Sequence, residues 1–312
     1  MMYLKRSQKG LSLVELMVAI VIGLLLVAGV TQLFANNRLL YSAHENQSRI
    51  QENARYTLQV LTEAIQRAGY MGCATRNASD IINTLSNTPV FTERFEDSIQ
   101  GNRAVGGSWS PPPDSSISSP LTGNDIITVR TGIGSSMRVL AHNSATQRIE
   151  LGSNHGLENG NIVMVSDCIN AVILRVADVD GNNITYDNSI ELQLDISSAQ
   201  ITRMVTRSFY IRTNPDGFHA LYERINNESP QELVSGIENL QILYGEDTNQ
   251  DGSVDVYVPA NAVGNWRNIL SVEVSLDAIA TGDNVVPAIS GGTVEQLTTS
   301  YQKTIALRGR LP

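Results

Sequence analysis

The sequence predicts an α+β protein: one very long N-terminal helix, half apolar and half amphipathic, packed on a largely antiparallel β-sheet domain. Three observations predict it. From Leu11 to Ala35 the only ionisable side chain is Glu15. The stretch from Asn36 to Ala68 holds no proline and repeats apolar residues at helical spacing. Beyond Cys73 the pattern changes to the two-residue alternation of strands with one buried face.

Residues 1–10 form a short basic leader with Lys5, Arg6 and Lys9, ending in Gly10. Residues 11–35 follow as a membrane-crossing half-helix. As a helix this run spans about 37 Å, enough to cross a hydrocarbon core. The three leader charges place the N-terminus in the cytoplasm and everything after Ala35 outside. A secretory signal would instead break after a shorter apolar core, at a cleavage site of small residues. Here the helix continues as an amphipathic half over 36–69, with Ala54, Leu58, Leu61, Ile65 and Ala68 on one stripe. From Leu11 to Ala68 the rod is about 87 Å long. Gly69 and Gly72 stop it.

A basic leader ending in Gly10, an apolar run from Leu11 and a lone Glu15 within it resemble the N-terminus of type IV prepilins. The resemblance implies cleavage by a prepilin peptidase after Gly10 and methylation of the new amine on Leu11. It also implies that Glu15 neutralises the N-terminal amine of a neighbouring subunit as that subunit leaves the membrane. A carboxylate at that depth costs roughly 2.5–3.5 kcal/mol, so a pairing of this kind gives it a reason to be there. Leu11 stands where such proteins most often have phenylalanine, and Gln32 where major pilins carry a kinking proline. Both departures point to a minor, low-copy member. Ala68-Gly69-Tyr70-Met71-Gly72-Cys73, Val165-Ser166-Asp167-Cys168, Trp266 to Val274 and Thr304 to Arg310 are similar to segments of the PilW family of minor pilins.

Residues 70–312 make up the β-rich domain on the outer side. Leu192, Leu194 and Ile196 alternate with polar residues, and so do Leu270, Val272, Val274 and Leu276. Asn214-Pro215-Asp216-Gly217 and Asp180-Gly181 are hairpin turns, so the sheet is at least partly antiparallel. The Ser- and Pro-rich residues 101–123 are expected to form a mobile surface loop.

The chain has 22 basic and 31 acidic residues. Loss of the leader removes three basic ones and leaves 19 against 31, a net charge of -12. Such a surface predicts no nucleic-acid partner. Cys73 and Cys168 are the two cysteines, and an even number of thiols outside the cytoplasm suggests a disulfide. It would close a loop of about 95 residues and contribute roughly 4–5 kcal/mol in the loop-entropy model. Two buried free thiols are the alternative.

Asp247, Asn249, Asp251, Ser253 and Asp255 place oxygens at every second position around Gly252, as in an EF-hand-type calcium loop, Ser253 through its carbonyl. Val258 stands where the bidentate glutamate belongs, so the expectation is a partial, weak calcium site. The alternative is an acidic turn between strands. No catalytic constellation is present. His44, His142, His155 and His219 lack zinc-protease spacing, Gly132-Ile133-Gly134 lacks the third glycine of a dinucleotide loop, and Glu93, Glu96 and Asp97 read as a solvated face.

The function implied is that of a minor pilin that primes or caps type IV pilus assembly at the filament tip, for surface motility and adhesion. Its partners would be the peptidase, the inner membrane, other minor pilins, the major pilin and a tip adhesin. Before assembly it would cross the inner membrane once. The alternatives are a type II secretion pseudopilin and, from another class, a membrane-anchored calcium-dependent adhesin or periplasmic binding protein.

Overall fold

The computed structural model describes residues 12–70, 81–86, 89–167, 169–187, 195–281 and 298–310. The long helix α1 spans Leu13–Gln66, 54 residues or about 81 Å. It starts two residues later than expected because Ser12 is extended (φ -71°, ψ 150°) and its Oγ accepts from the Glu15 N–H at 3.2 Å. Ser12 and Glu15 stand at the two positions of a capping box, serine at the cap and glutamate three residues on. Gly69 (φ +73°) ends the rod, in the left-handed conformation that glycine adopts without strain.

Fifteen strands follow among the described residues: β1 Ile81–Asn83, β2 Ile99–Val105, β3 Ser108–Ser110, β4 Ile126–Asn143, β5 Arg148–Leu151, β6 Ile162–Ser166, β7 Ala171–Asp180, β8 Asn183–Tyr186, β9 Gln200–Thr213, β10 His219–Ile225, β11 Gln231–Ser235, β12 Ile237–Glu246, β13 Val256–Pro259, β14 Ile269–Ile279 and β15 Thr298–Ala306. Every pairing is antiparallel except β1 with β7. Both expected hairpins form. Asn214–Gly217 joins β9 to β10, with the Phe218 N–H donating to Asn214 Oδ1 at 2.9 Å, and Asp180-Gly181 joins β7 to β8. The alternation from Leu270 to Leu276 lies in β14, whereas Leu192 and Leu194 lie outside the described residues.

Residues 101–123 differ from the loop expected there. They include most of β2 and all of β3, and Ile117 is buried against Phe91, Ile126 and Tyr210. Serine and proline marked the turns correctly, but the two short strands between them are set by long-range pairing of β2 with β4.

The strands form two sheets. In the larger, β4 pairs with β9 and also with β5, and the neighbours run β4, β5, β8, β7, β6, β9 and back to β4. Six strands thus close on themselves as a small barrel, filled by residues such as Val139, Ile149, Val163, Leu174, Ile184 and Ile201. The β4–β9 register shifts between Ile133 and Met137, where Gly134 has φ +73°, and there β4 bends from the main sheet into the barrel. The smaller sheet has the order β13-β12-β14-β15.

The second half of α1 lies against this smaller sheet and β11. Ile50, Ala54, Leu61, Ala64, Ile65 and Ala68 are all fully buried with Ile242, Val272, Val274 and Leu276 in the main core. Of the expected stripe, Leu58 is only partly buried at its margin. The two sheets are stitched by the loop before β4. Asn124 Oδ1 accepts from the Leu240 N–H at 2.7 Å, and the Asp125 carboxylate accepts from the Ala104 and Ile242 N–H groups at 2.9 Å each. Arg103 donates to the same carboxylate at 2.9 Å, supplying the opposite charge that a buried ion needs.

Candidate functional site

Among the described residues, the first half of α1 is left uncovered by the rest of the protein. Its most apolar window has a mean hydropathy of 2.8 and is 0% buried, with Leu25 68% and Phe34 67% exposed. A helix apolar all round and wholly uncovered needs lipid or other helices as its solvent. Gly10 and Leu11 lie outside the described residues. Glu15 stands in the first turn of this half, where its negative charge is favoured by the helix dipole and its backbone N–H is held by Ser12.

The rod must also be held by the domain it carries. The Gly69 N–H donates to the Arg130 carbonyl at 3.0 Å, the Gly132 N–H to the Tyr70 carbonyl at 2.8 Å, and Thr131 Oγ1 to the Arg67 carbonyl at 2.6 Å. Three successive residues of β4 thus grip the helix end. Arg130 itself is almost wholly buried. Its guanidinium donates to the carbonyls of Asp97 (2.8 Å) and Phe91 (2.9 Å) and to Gln100 Oε1 (3.1 Å), and lies 5.1 Å from the Phe91 ring centroid. Desolvation pulls its pKa down to about 10, so it remains charged at neutral pH. The segment before β2 is bound to β4 through this cation. Nothing in the local sequence singled out Arg130, because it interrupts an otherwise strand-like run from Ile126 to Thr131. Farther down the helix, Asn53 Nδ2 donates to the Ser235 carbonyl at 3.0 Å.

Cys73 and Cys168 both lie outside the described residues. Asp167, beside Cys168, is described. Burial raises the pKa of its carboxyl, but the N–H groups of Asn170, Asp195 and Ile169 together outweigh burial and hold it below its ordinary value.

The turn from Asp247 to Asp255 does gather its oxygens, and it uses them on itself. Asp247 is buried and accepts from the N–H groups of Gly252 (3.0 Å) and Asp251 (3.2 Å). Asp255 Oδ2 accepts from the Thr248 N–H and hydroxyl at 2.8 and 2.7 Å, and these bonds hold its pKa below the ordinary value. Asn249 Nδ2 reaches Asp251 Oδ2 at 3.1 Å and Asp255 Oδ1 at 3.3 Å. The Ser253 N–H donates to Asp251 Oδ1. An amide donor sits between two carboxylates, and among the described residues no group of three or more His, Cys, Asp or Glu is disposed to hold a metal ion. In this arrangement the loop is a self-satisfied acidic turn.

Comparison with known proteins bears on the two ends of the chain. Residues 5–31 match the model of the prokaryotic N-terminal methylation motif, and residues 208–307 match that of Type IV pilus-assembly protein W. The chain is thus similar to type IV pilus proteins at both ends, carrying the methylation motif at its start and a PilW-matching segment toward its end. The PilW match runs from within β9 to just past β15, so it takes in the whole smaller sheet on which α1 rests. Among solved structures, a type IV-like pilin from Thermus thermophilus aligns with 85% of this chain and 98% of its own, at 9% identity and a TM-score of 0.36. No curated protein matches. The methylation motif implies processing by prepilin peptidase and assembly with other pilins. Pilins are a structural, non-enzymatic kind of protein.

Proposed function

We propose that this pilin is a minor subunit that is cut after Gly10, methylated on Leu11, and primes or caps type IV pilus assembly at the filament tip. The observation that carries the reading is the division of α1. One half is uncovered and apolar, with Glu15 at its free end, and the other is clamped to a PilW domain. In the inner membrane lipid covers the first half, and in the filament sister helices do. Glu15 then meets the N-terminal amine of a neighbouring subunit, where low dielectric strengthens the attraction between the two charges. The PilW match favours a pilus over a secretion pseudopilus. The β-rich domain makes the lateral contacts to the other minor pilins, the major pilin and a tip adhesin.

Calcium at the Asp247–Asp255 turn belongs to the proposal as a weak site. Asn249 would turn its amide oxygen inward, exchanging hydrogen bonds to Asp251 and Asp255 for coordination. Deletion of this chain from a strain that keeps its major pilin tests the function. Surface filaments should become few while major pilin accumulates in the membrane, and wild-type filament numbers would contradict it.

A further inference from the structure

We infer that the groove between α1 and β15 binds an acidic oligosaccharide, whose uronate carboxylates meet Arg55 and Lys303. The groove has a volume of about 870 Å³, within the range of ligand sites. One wall is a polar stripe of α1, where Gln47, Gln51, Arg55, Gln59 and Gln66 recur one or two turns apart on one face. The other is the face of β15 that carries Tyr301 and Lys303, two residues apart.

The charge of the lining sets the sign of the ligand. Arg55 and Lys303 are both exposed, one on each wall. Against these two cations the described lining sets one carboxylate, Glu63, which Arg67 offsets at 3.9 Å. The chain as a whole has a net charge of -9. A positive groove on an acidic protein is a local reversal, and it draws anions to that place.

The uncharged lining sets the class of anion. Protein partners are held mainly by large side chains seated in well-packed, desolvated pockets. Here the large hydrophobic side chains of the lining, Leu58 and Tyr301, already pack against the main core. What is left to meet a ligand is mostly amide. A glutamine amide both donates and accepts, as a sugar hydroxyl does, so the glutamines along α1 match a hydroxyl-rich chain. Tyr301 adds a hydroxyl on a ring that the core holds in place. Charge-assisted bonds to the carboxylates then supply affinity, and the amides supply selectivity.

Titration of the full-length chain with hexagalacturonate, in a detergent without a sugar headgroup, tests this. Binding should saturate, weaken as salt is raised, and exceed that of neutral maltohexaose at least tenfold. Arg55→Gln and Lys303→Gln should each weaken it about tenfold. Gln51→Ala and Gln59→Ala leave the charge unchanged and should weaken it several-fold. Arg49→Gln removes a cation that pairs with Glu45 outside the groove and should change nothing. No binding at millimolar hexagalacturonate, or an equal loss in Arg49→Gln, would overturn the inference. Tighter binding of hexaglutamate than of hexagalacturonate would also overturn it, by assigning the groove to an acidic peptide.

Discussion

The backbone N–H of Gly69, three residues past the end of the long helix, donates to the carbonyl of Arg130 at 3.0 Å. This bond and its two neighbours make the rod and the domain one mechanical unit. A Cβ at Gly69 would sit 3.1 Å from the Ser98 Cβ and Oγ, and the φ of +73° is one that side chains resist.

Gly69→Ala should therefore cost about 1–2 kcal/mol from backbone conformation alone. At about 2–4 °C per kcal/mol for a domain of this size, the melting temperature of the detergent-solubilised chain should fall by several degrees. An unchanged melting temperature would mean that the helix end does not hold this geometry.

Asp167 sets an acid limit. Its pKa is lowered on folding, so its contribution is complete above the unfolded value near 3.9 and is lost as pH falls through the folded value. Melting temperature should be insensitive to this group between pH 7 and about pH 5 and should fall below about pH 4. Asp167→Asn should flatten that acid slope, and an unaltered slope would assign it to other carboxylates.

Cys73 and Cys168 are expected to be bonded. Alkylation of the intact chain before and after reduction, read by mass, settles the matter. Two alkylated thiols without reductant would exclude the bond, and the grip of β4 on the helix end would then be the whole attachment at that point.

For the acidic turn, saturating calcium near a hundredfold excess over its Kd should stabilise the chain by about 2.7 kcal/mol, seen as a higher melting temperature than in chelator. Asp251→Ala should abolish the difference. Equal melting temperatures with millimolar calcium and with chelator would leave the hydrogen-bonded turn as its complete description.

What the sequence revealed and concealed follows the range of the forces involved. The rod was legible because Leu16 to Val30 is unbroken and Gly69 stops it, both local properties. The Asn214–Gly217 hairpin and the alternation in β14 were legible for the same reason. The closed barrel was not, because it depends on β4 meeting β9 some seventy residues away and on a register shift that no short window encodes. Residues 101–123 looked like a loop because their strands are short and rich in turn residues. Asp125 and Arg130 were not singled out, because nothing in a short window shows that both are buried and hold segments distant in sequence. The helix start was missed by two residues, although serine followed three residues later by glutamate is the local signal that marks Ser12 as the cap.

Glu15→Ala and Glu15→Gln provide the most direct test of the assembly role. Both keep the apolar run, and the backbone N–H that Ser12 caps is untouched. Membrane insertion should be unchanged or easier, and cleavage after Gly10 should proceed. In strains whose only copy carries either substitution, the processed protein should be present in the inner membrane at normal level while surface pili are few. Wild-type piliation in both strains would contradict the account and reduce α1 to a simple anchor.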